Sequence, residues 1–261
     1  MRRLASAVAA AIMLSAAPAL AHFQMVYTPS VTLEKPATIP FKLVFTHPFE
    51  NGHAMDMGKP ESFFYLFKDK KVDLTDSLKP ITWHGAHNDS KAFEADVKVQ
   101  RNGDYIFALT PAPYYEGSED IYIQQITKSY VNKGGVPTGW EAPLGLPTEI
   151  QPLNKPYNLF TGSTFTGVVL SEGKPVPGVE IEIEYIAALP DMKANKPGPV
   201  IAQPASSALV AITDEKGVFT FGIPKAGFWG FAALGSGPVK EFEGKELSQD
   251  AVIWIYAEDM K

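Results

Sequence analysis

Through much of the chain apolar side chains recur at every second position, in short runs separated by Gly, Pro, Asn and Asp. In Phe93-Glu94-Ala95-Asp96-Val97-Lys98-Val99 the odd positions are apolar and the even ones are charged or acidic. A period of two buries one face of an extended segment and wets the other, so it predicts a strand. Comparable runs cover Val31 to Leu33, Ile39 to Phe45, Phe63 to Phe67, Tyr105 to Leu109 and Tyr122 to Ile126. A second set covers Ser163 to Leu170, Val179 to Ile186, Ala208 to Thr213, Val218 to Ile223, Phe228 to Ala233 and Ala251 to Tyr256. No convincing amphipathic helical window competes, and 22 prolines oppose long helices. The fold class expected is all-β.

Between the two sets, Gly134 to Lys155 carries repeated Gly and Pro and reads as a long ordered connection, with Trp140 and Leu144 available to pin it to a core. The parse is two β-sandwich domains, residues 22–154 and 155–261. In the second, Gly173-Lys174-Pro175-Val176-Pro177-Gly178 is a turn entering a strand whose apolar positions are Val179, Ile181, Ile183 and Tyr185. Asp214-Glu215-Lys216-Gly217 is expected to close a hairpin between Ala211–Thr213 and Val218–Phe221, with Gly217 at the left-handed position. This half resembles the prealbumin-like, carboxypeptidase-regulatory-like β-sandwich, which implies a fold and not an activity. Met192 to Ser207 reads as a surface loop.

Charge and the amino-terminal segment add a location. Arg2 and Arg3 precede an apolar stretch from Leu4 to Ala17, and Ala19-Leu20-Ala21 has the small-x-small pattern of a signal-peptidase site. Residues 1–21 are therefore expected to be a signal peptide cleaved after Ala21, giving a periplasmic protein that begins at His22. No later segment supplies about 18 consecutive apolar residues, so no membrane span is expected in the mature chain. The net charge of −6 becomes −8 once Arg2 and Arg3 are gone, because residues 1–21 hold no acid. That balance argues against nucleic acid as a partner. Cysteine is absent, which excludes disulfides and thiolate ligands.

All five histidines, His22, His47, His53, His84 and His87, fall in the first 87 residues, so a histidine site belongs to the first domain. After cleavage, the α-amino group and imidazole Nδ1 of His22 can chelate one ion, both losing protons near neutral pH; otherwise His22 is simply the first residue of a frayed terminus. His47 stands at a strand exit before Pro48, where a ligand and a satisfied half-buried side chain are about equally expected. In His53-Ala54-Met55-Asp56-Met57 an extended backbone aligns His53, Met55 and Met57 on one face. Imidazole with thioether suits soft or borderline ions, and the two methionines equally suit a core. His84 and His87 flank a glycine turn, as two ligands or as two polar loop residues, and Glu119 or Asp120 could orient a histidine. No nucleophile-and-base pattern, H-E-x-x-H helix or phosphate loop is present, so no enzyme is expected.

The segment Phe45-Thr46-His47-Pro48-Phe49-Glu50-Asn51-Gly52, with Met55-Asp56-Met57-Gly58-Lys59-Pro60 after it, resembles the exported DUF4198 family. Gly103-Asp104-Tyr105, Pro111-Ala112-Pro113-Tyr114, Glu119 to Ile123, Gly139-Trp140 and Gly173 to Pro177 extend the resemblance over nearly the whole mature chain. It implies a periplasmic metal-binding accessory to nickel or cobalt uptake, partnered by a membrane metal-uptake transporter, with His22 and His47 as ligands. The ion expected is Ni²⁺ or Co²⁺, with Cu²⁺ as the competitor that the same donors bind more tightly. The alternatives are a copper carrier or chaperone, a copper-dependent polysaccharide oxidase with an N-terminal histidine brace, and a structural envelope module.

Overall fold

The computed structural model describes residues 22–202 and 209–260, so the expected leader lies outside the described residues. The chain is all-β, with 58% strand and 1% helix, the helical part being the single turn Thr75–Ser77. No helix among the described residues is long and apolar enough to cross a membrane.

The central layer is a twelve-stranded sheet. Its main path runs Leu209–Ile212, Glu180–Tyr185, Gly227–Ala233, Lys245–Glu258, Ile121–Lys133, Gly103–Thr110, Ser62–Phe67 and Lys70–Asp73. A five-stranded sheet contains Phe23–Tyr27, Ala37–Thr46, Asp89–Val99 and Lys79–His84 in that order, with Ala54–Met55 also paired to Ala37–Thr46. A four-stranded sheet is built on Thr164–Ser171, flanked by Thr148–Pro152, Lys174–Pro175 and Val218–Gly222.

The two expected sets of strands do not keep to separate sheets. Ile121–Lys133 and Lys245–Glu258 lie parallel, from Tyr122 opposite Leu247 to Lys128 opposite Ile253, and this ladder joins the sets into the central layer. Thr148–Pro152, which precedes residue 155, pairs with Thr164–Ser171 after it. A parallel ladder between segments over a hundred residues apart leaves no local turn in the sequence to announce it.

Side-chain alternation then assigns each face of the central sheet. Ile181, Ile183, Phe231, Ile253 and Ile255 cluster with Ile150, Phe165, Val169 and Phe219 of the four-stranded sheet, and Trp140 and Leu144 of the long connection pack on the same cluster. Phe63, Tyr105, Phe107, Leu109 and Val131 cluster with Ile39, Phe41, Leu43, Phe45 and Val97 of the five-stranded sheet. The edge strand Phe23–Tyr27 is buried at all five positions. Val26 joins the second cluster, while Phe23, Met25 and Tyr27 join a third with Phe228, Val252 and Trp254.

Three details depart from the sequence reading, the first being that the expected surface loop Met192 to Ser207 contains a strand, Lys196–Val200, paired antiparallel with Ala188–Asp191. The turn at Asp214 forms as expected, with Gly217 at φ 72° and its N–H donating to Asp214. Its flanking strands nevertheless enter different sheets, because Leu209–Ile212 pairs with Glu180–Tyr185 and Val218–Gly222 pairs with Thr164–Ser171. The segment is thus a crossover between layers and not a hairpin. Within Glu180–Tyr185, moreover, Glu182 and Glu184 are buried along with the isoleucines; the Phe49 N–H donates to Glu184, and Glu182 lines a cavity closed in part by His22.

Candidate functional site

His22 and His47 are brought together by strand register. Phe23–Tyr27 and Ala37–Thr46 are antiparallel with Phe23 opposite Thr46, so one step further places His22 beside His47. The ring centroids are 4.5 Å apart and the planes are tilted by 51°. Gln125 holds the start of the edge strand in place. Its Oε1 accepts from the Gln24 N–H at 2.7 Å, and its Nε2 donates to the His22 carbonyl at 2.7 Å. Phe45 and Tyr114 flank the His22 ring, with centroids at 5.6 and 6.4 Å.

Each imidazole has one nitrogen committed to an acceptor. His22 Nε2 lies 3.1 Å from Glu116 Oε2, on the short strand Tyr114–Glu116. A carboxylate only accepts, so Nε2–H is the donor in this contact. Burial would raise the Glu116 pKa, but hydrogen bonds from Ser118 and the His22 contact outweigh it and hold this carboxyl below its ordinary value. His47 Nδ1 lies 3.2 Å from the His53 carbonyl oxygen, which again fixes Nδ1–H as the donor. The same carbonyl accepts from the His47 N–H and from Thr46 Oγ1, and the Gly52 N–H donates back to the His47 carbonyl. The loop 47–53 is thereby closed around His47.

His47 Nε2 is buried and has no hydrogen-bond partner. Burial is the main cause that holds the His47 pKa below 6.5, partly offset by the bond to His53 and by Glu50. The ring is therefore neutral at neutral pH and presents an unshared pair at Nε2. A buried acceptor without a donor costs about 1–3 kcal/mol, so its retention calls for an explanation.

The other expected ligands lie elsewhere. His53 and His87 face each other with centroids 6.2 Å apart and planes 9° from parallel, both on the surface. His84 Nδ1 lies 3.0 Å from Asp89 Oδ1, also exposed. Met55 and Met57 are buried in the core between the sheets, and Met57 Sδ accepts from Gln24 Nε2 at 3.6 Å. His53 points outward while these methionines point inward, so the extended segment does not align all three. Among the described residues no group of three or more His, Asp or Glu side chains is placed to share one metal ion. Glu116 was not singled out from the sequence, which pointed instead to Glu119 and Asp120. Only its place on a strand paired to Ile121–Ile123 brings it to His22.

A family model described as "Domain of unknown function (DUF4198)" matches residues 19–237. No curated protein matches the chain. Among solved structures, the chain is similar to the Yersinia pseudotuberculosis adhesin InvE, at 13% identity and a TM-score of 0.23, over 88% of this chain and 58% of that one. The D0-D1 domain of Intimin shares 9% identity at a TM-score of 0.21, over 88% of this chain and 96% of that one. The native conformation of E. coli alpha-2-macroglobulin shares 12% identity at a TM-score of 0.25, over 92% of this chain and 14% of that one. The chain spans less than two thirds of the length of the first of these.

Proposed function

The chain belongs to the DUF4198 family, and from that premise we propose that it is a periplasmic transition-metal-binding protein, an accessory to uptake of Ni²⁺ or Co²⁺. The observation that carries the reading is the buried, partnerless Nε2 of His47 beside the His22 ring. Two imidazoles at right-angled positions of one octahedral or square ion, each with a metal–nitrogen distance of about 2.0–2.1 Å, place their centroids roughly 4.5 Å apart, against about 5.2 Å for a tetrahedral ion. The separation here is 4.5 Å.

His47 would contribute Nε2, and His22 would contribute Nδ1 together with the α-amino group released by cleavage after Ala21. The third donor is then a main-chain amine, which is compatible with there being, among the described residues, no third His, Asp or Glu side chain placed to share the ion. Glu116 and the His53 carbonyl hold the other ring nitrogens, the arrangement that usually orients metal-bound histidines. Three nitrogen donors suit Ni²⁺ and Co²⁺, and they bind Cu²⁺ more tightly. The core placement of Met55 and Met57 supports a nitrogen site over a thioether one.

The test is a titration of the chain beginning at His22, of the same chain with one added N-terminal alanine, and of its His47→Ala variant, with Ni²⁺, Co²⁺ and Cu²⁺. Both changes are expected to weaken binding by at least about tenfold, the loss of one good ligand. Equal affinities in all three would overturn the site. Oxidant-dependent cleavage of a polysaccharide by the copper-loaded chain would replace the carrier reading with an oxidase.

A further inference from the structure

A cavity of about 110 Å³ lies between the start of the edge strand, at His22, and the central sheet. Three acidic residues line it, Glu119, Glu182 and Asp250, and no Lys or Arg does. The Asp250 carboxylate is already satisfied. It accepts from Ser248 Oγ at 2.6 Å, from the Gly235 N–H at 2.8 Å and from Gln125 Nε2 at 3.2 Å. Glu119 stands exposed at the rim.

Glu182 differs from both. It is 6% exposed, it lines the cavity, and among the described residues no hydrogen bond or ion pair reaches its carboxylate. Its side chain is otherwise enclosed, so the donors this carboxylate takes must come from what occupies the cavity. The rest of the wall is shared between the apolar Ile121, Ile123 and Leu234 and the polar His22, Gln125 and Ser248, of which Gln125 and Ser248 are spent on Asp250.

We propose that this cavity binds a small organic cation, a primary ammonium on a short aliphatic body, with the ammonium on Glu182 and the methylenes against Ile121, Ile123 and Leu234. Size agrees. An engineered apolar cavity of about 150 Å³ holds benzene, so one of 110 Å³ holds about four or five non-hydrogen atoms. A bare metal ion fits less well, because the acids do not converge on one point and an ion would leave the apolar wall without a partner. Asp250 and Glu119 add negative potential, which favours any cation that enters. The site shares His22 with the proposed metal site but not His47.

The experiment titrates the intact chain beginning at His22 with n-butylammonium, followed by calorimetry and by amide shifts of the cavity residues. Glu182→Gln is expected to weaken binding by about tenfold or more, the usual worth of a hydrogen bond to a charged group. Leu234→Phe, which fills the cavity from its apolar side, is expected to abolish it. His47→Ala is expected to leave it unchanged, so failure of the metal reading and failure of this one are distinguishable. No binding of n-butylammonium to the parent chain, or equal binding to Glu182→Gln, would overturn the proposal. So would Ca²⁺ or Mn²⁺ binding in the cavity and excluding the amine.

Discussion

Glu182 permits a quantitative test in the absence of any ligand. Burial is the largest cause that raises its pKa to about 7, with Asp250, Glu180 and Glu119 adding repulsion. The ordinary value is 4.5. At 1.36 kcal/mol for each tenfold change in proton affinity, keeping Glu182 ionised in the folded chain costs about 3 kcal/mol. Because the folded value is the higher one, the cost is absent below pH 4.5, grows as the pH rises towards 7 and is constant above it. Glu182→Gln keeps the shape of the protonated acid and cannot ionise. At pH 8 it is expected to stabilise the chain by about 3 kcal/mol, which raises Tm by about 6–12 °C for a protein of this size. At pH 4.5 or below the variant and its parent should unfold together. Urea denaturation at both pH values measures the gap. A gap of the same size at both, or a less stable variant at pH 8, would refute the electrostatic argument. Among the described residues no hydrogen bond reaches the Glu182 carboxylate, so the substitution orphans no donor there.

Two further outcomes follow from the same structure. Glu116→Gln keeps an acceptor near His22 Nε2 but removes the charge, and Ni²⁺ affinity is expected to fall by about 10–100-fold in titration with the strands intact; an unchanged affinity would separate Glu116 from the site. Lys128 Nζ lies 2.8 Å from Glu149 Oε2, with both side chains nearly inaccessible, and Glu149 also accepts from the Leu144 and Gly145 N–H groups. Lys128→Met leaves Glu149 charged and buried without its cation, and urea denaturation should show a loss of about 3–5 kcal/mol; a loss under about 1 kcal/mol would mean that the amide donors suffice.

Several strands were legible because period-two alternation is a local property. The expected Ile39 to Phe45 lies within Ala37–Thr46, and Ser163 to Leu170 overlaps Thr164–Ser171. Ala95, Val97 and Val99 are buried while Asp96 and Lys98 are exposed, as their order along the chain implies. The left-handed Gly217 was equally local. Sheet membership was not. Whether the strands beside Asp214 form a hairpin or cross between layers depends on partners far away in sequence, and so does the parallel ladder of Ile121–Lys133 with Lys245–Glu258.

The same division runs through the two sites. The sequence by itself determined an all-β chain and the histidines that could carry chemistry, because residue type and short-range pattern are local quantities; that His22 and His47 act together was only what the family resemblance implied. Only the tertiary structure decided that these two rings meet while His53, His84 and His87 lie on the surface. It alone sent Met55 and Met57 into the core and Glu116 to His22. The alternation of Glu180–Tyr185 pointed Glu182 to solvent, and the tertiary fold enclosed it at the wall of a cavity. Burial is set by what lies opposite, and across the cavity from Glu182 stand His22, Ile121, Ile123 and Gln125, all distant from it in the chain.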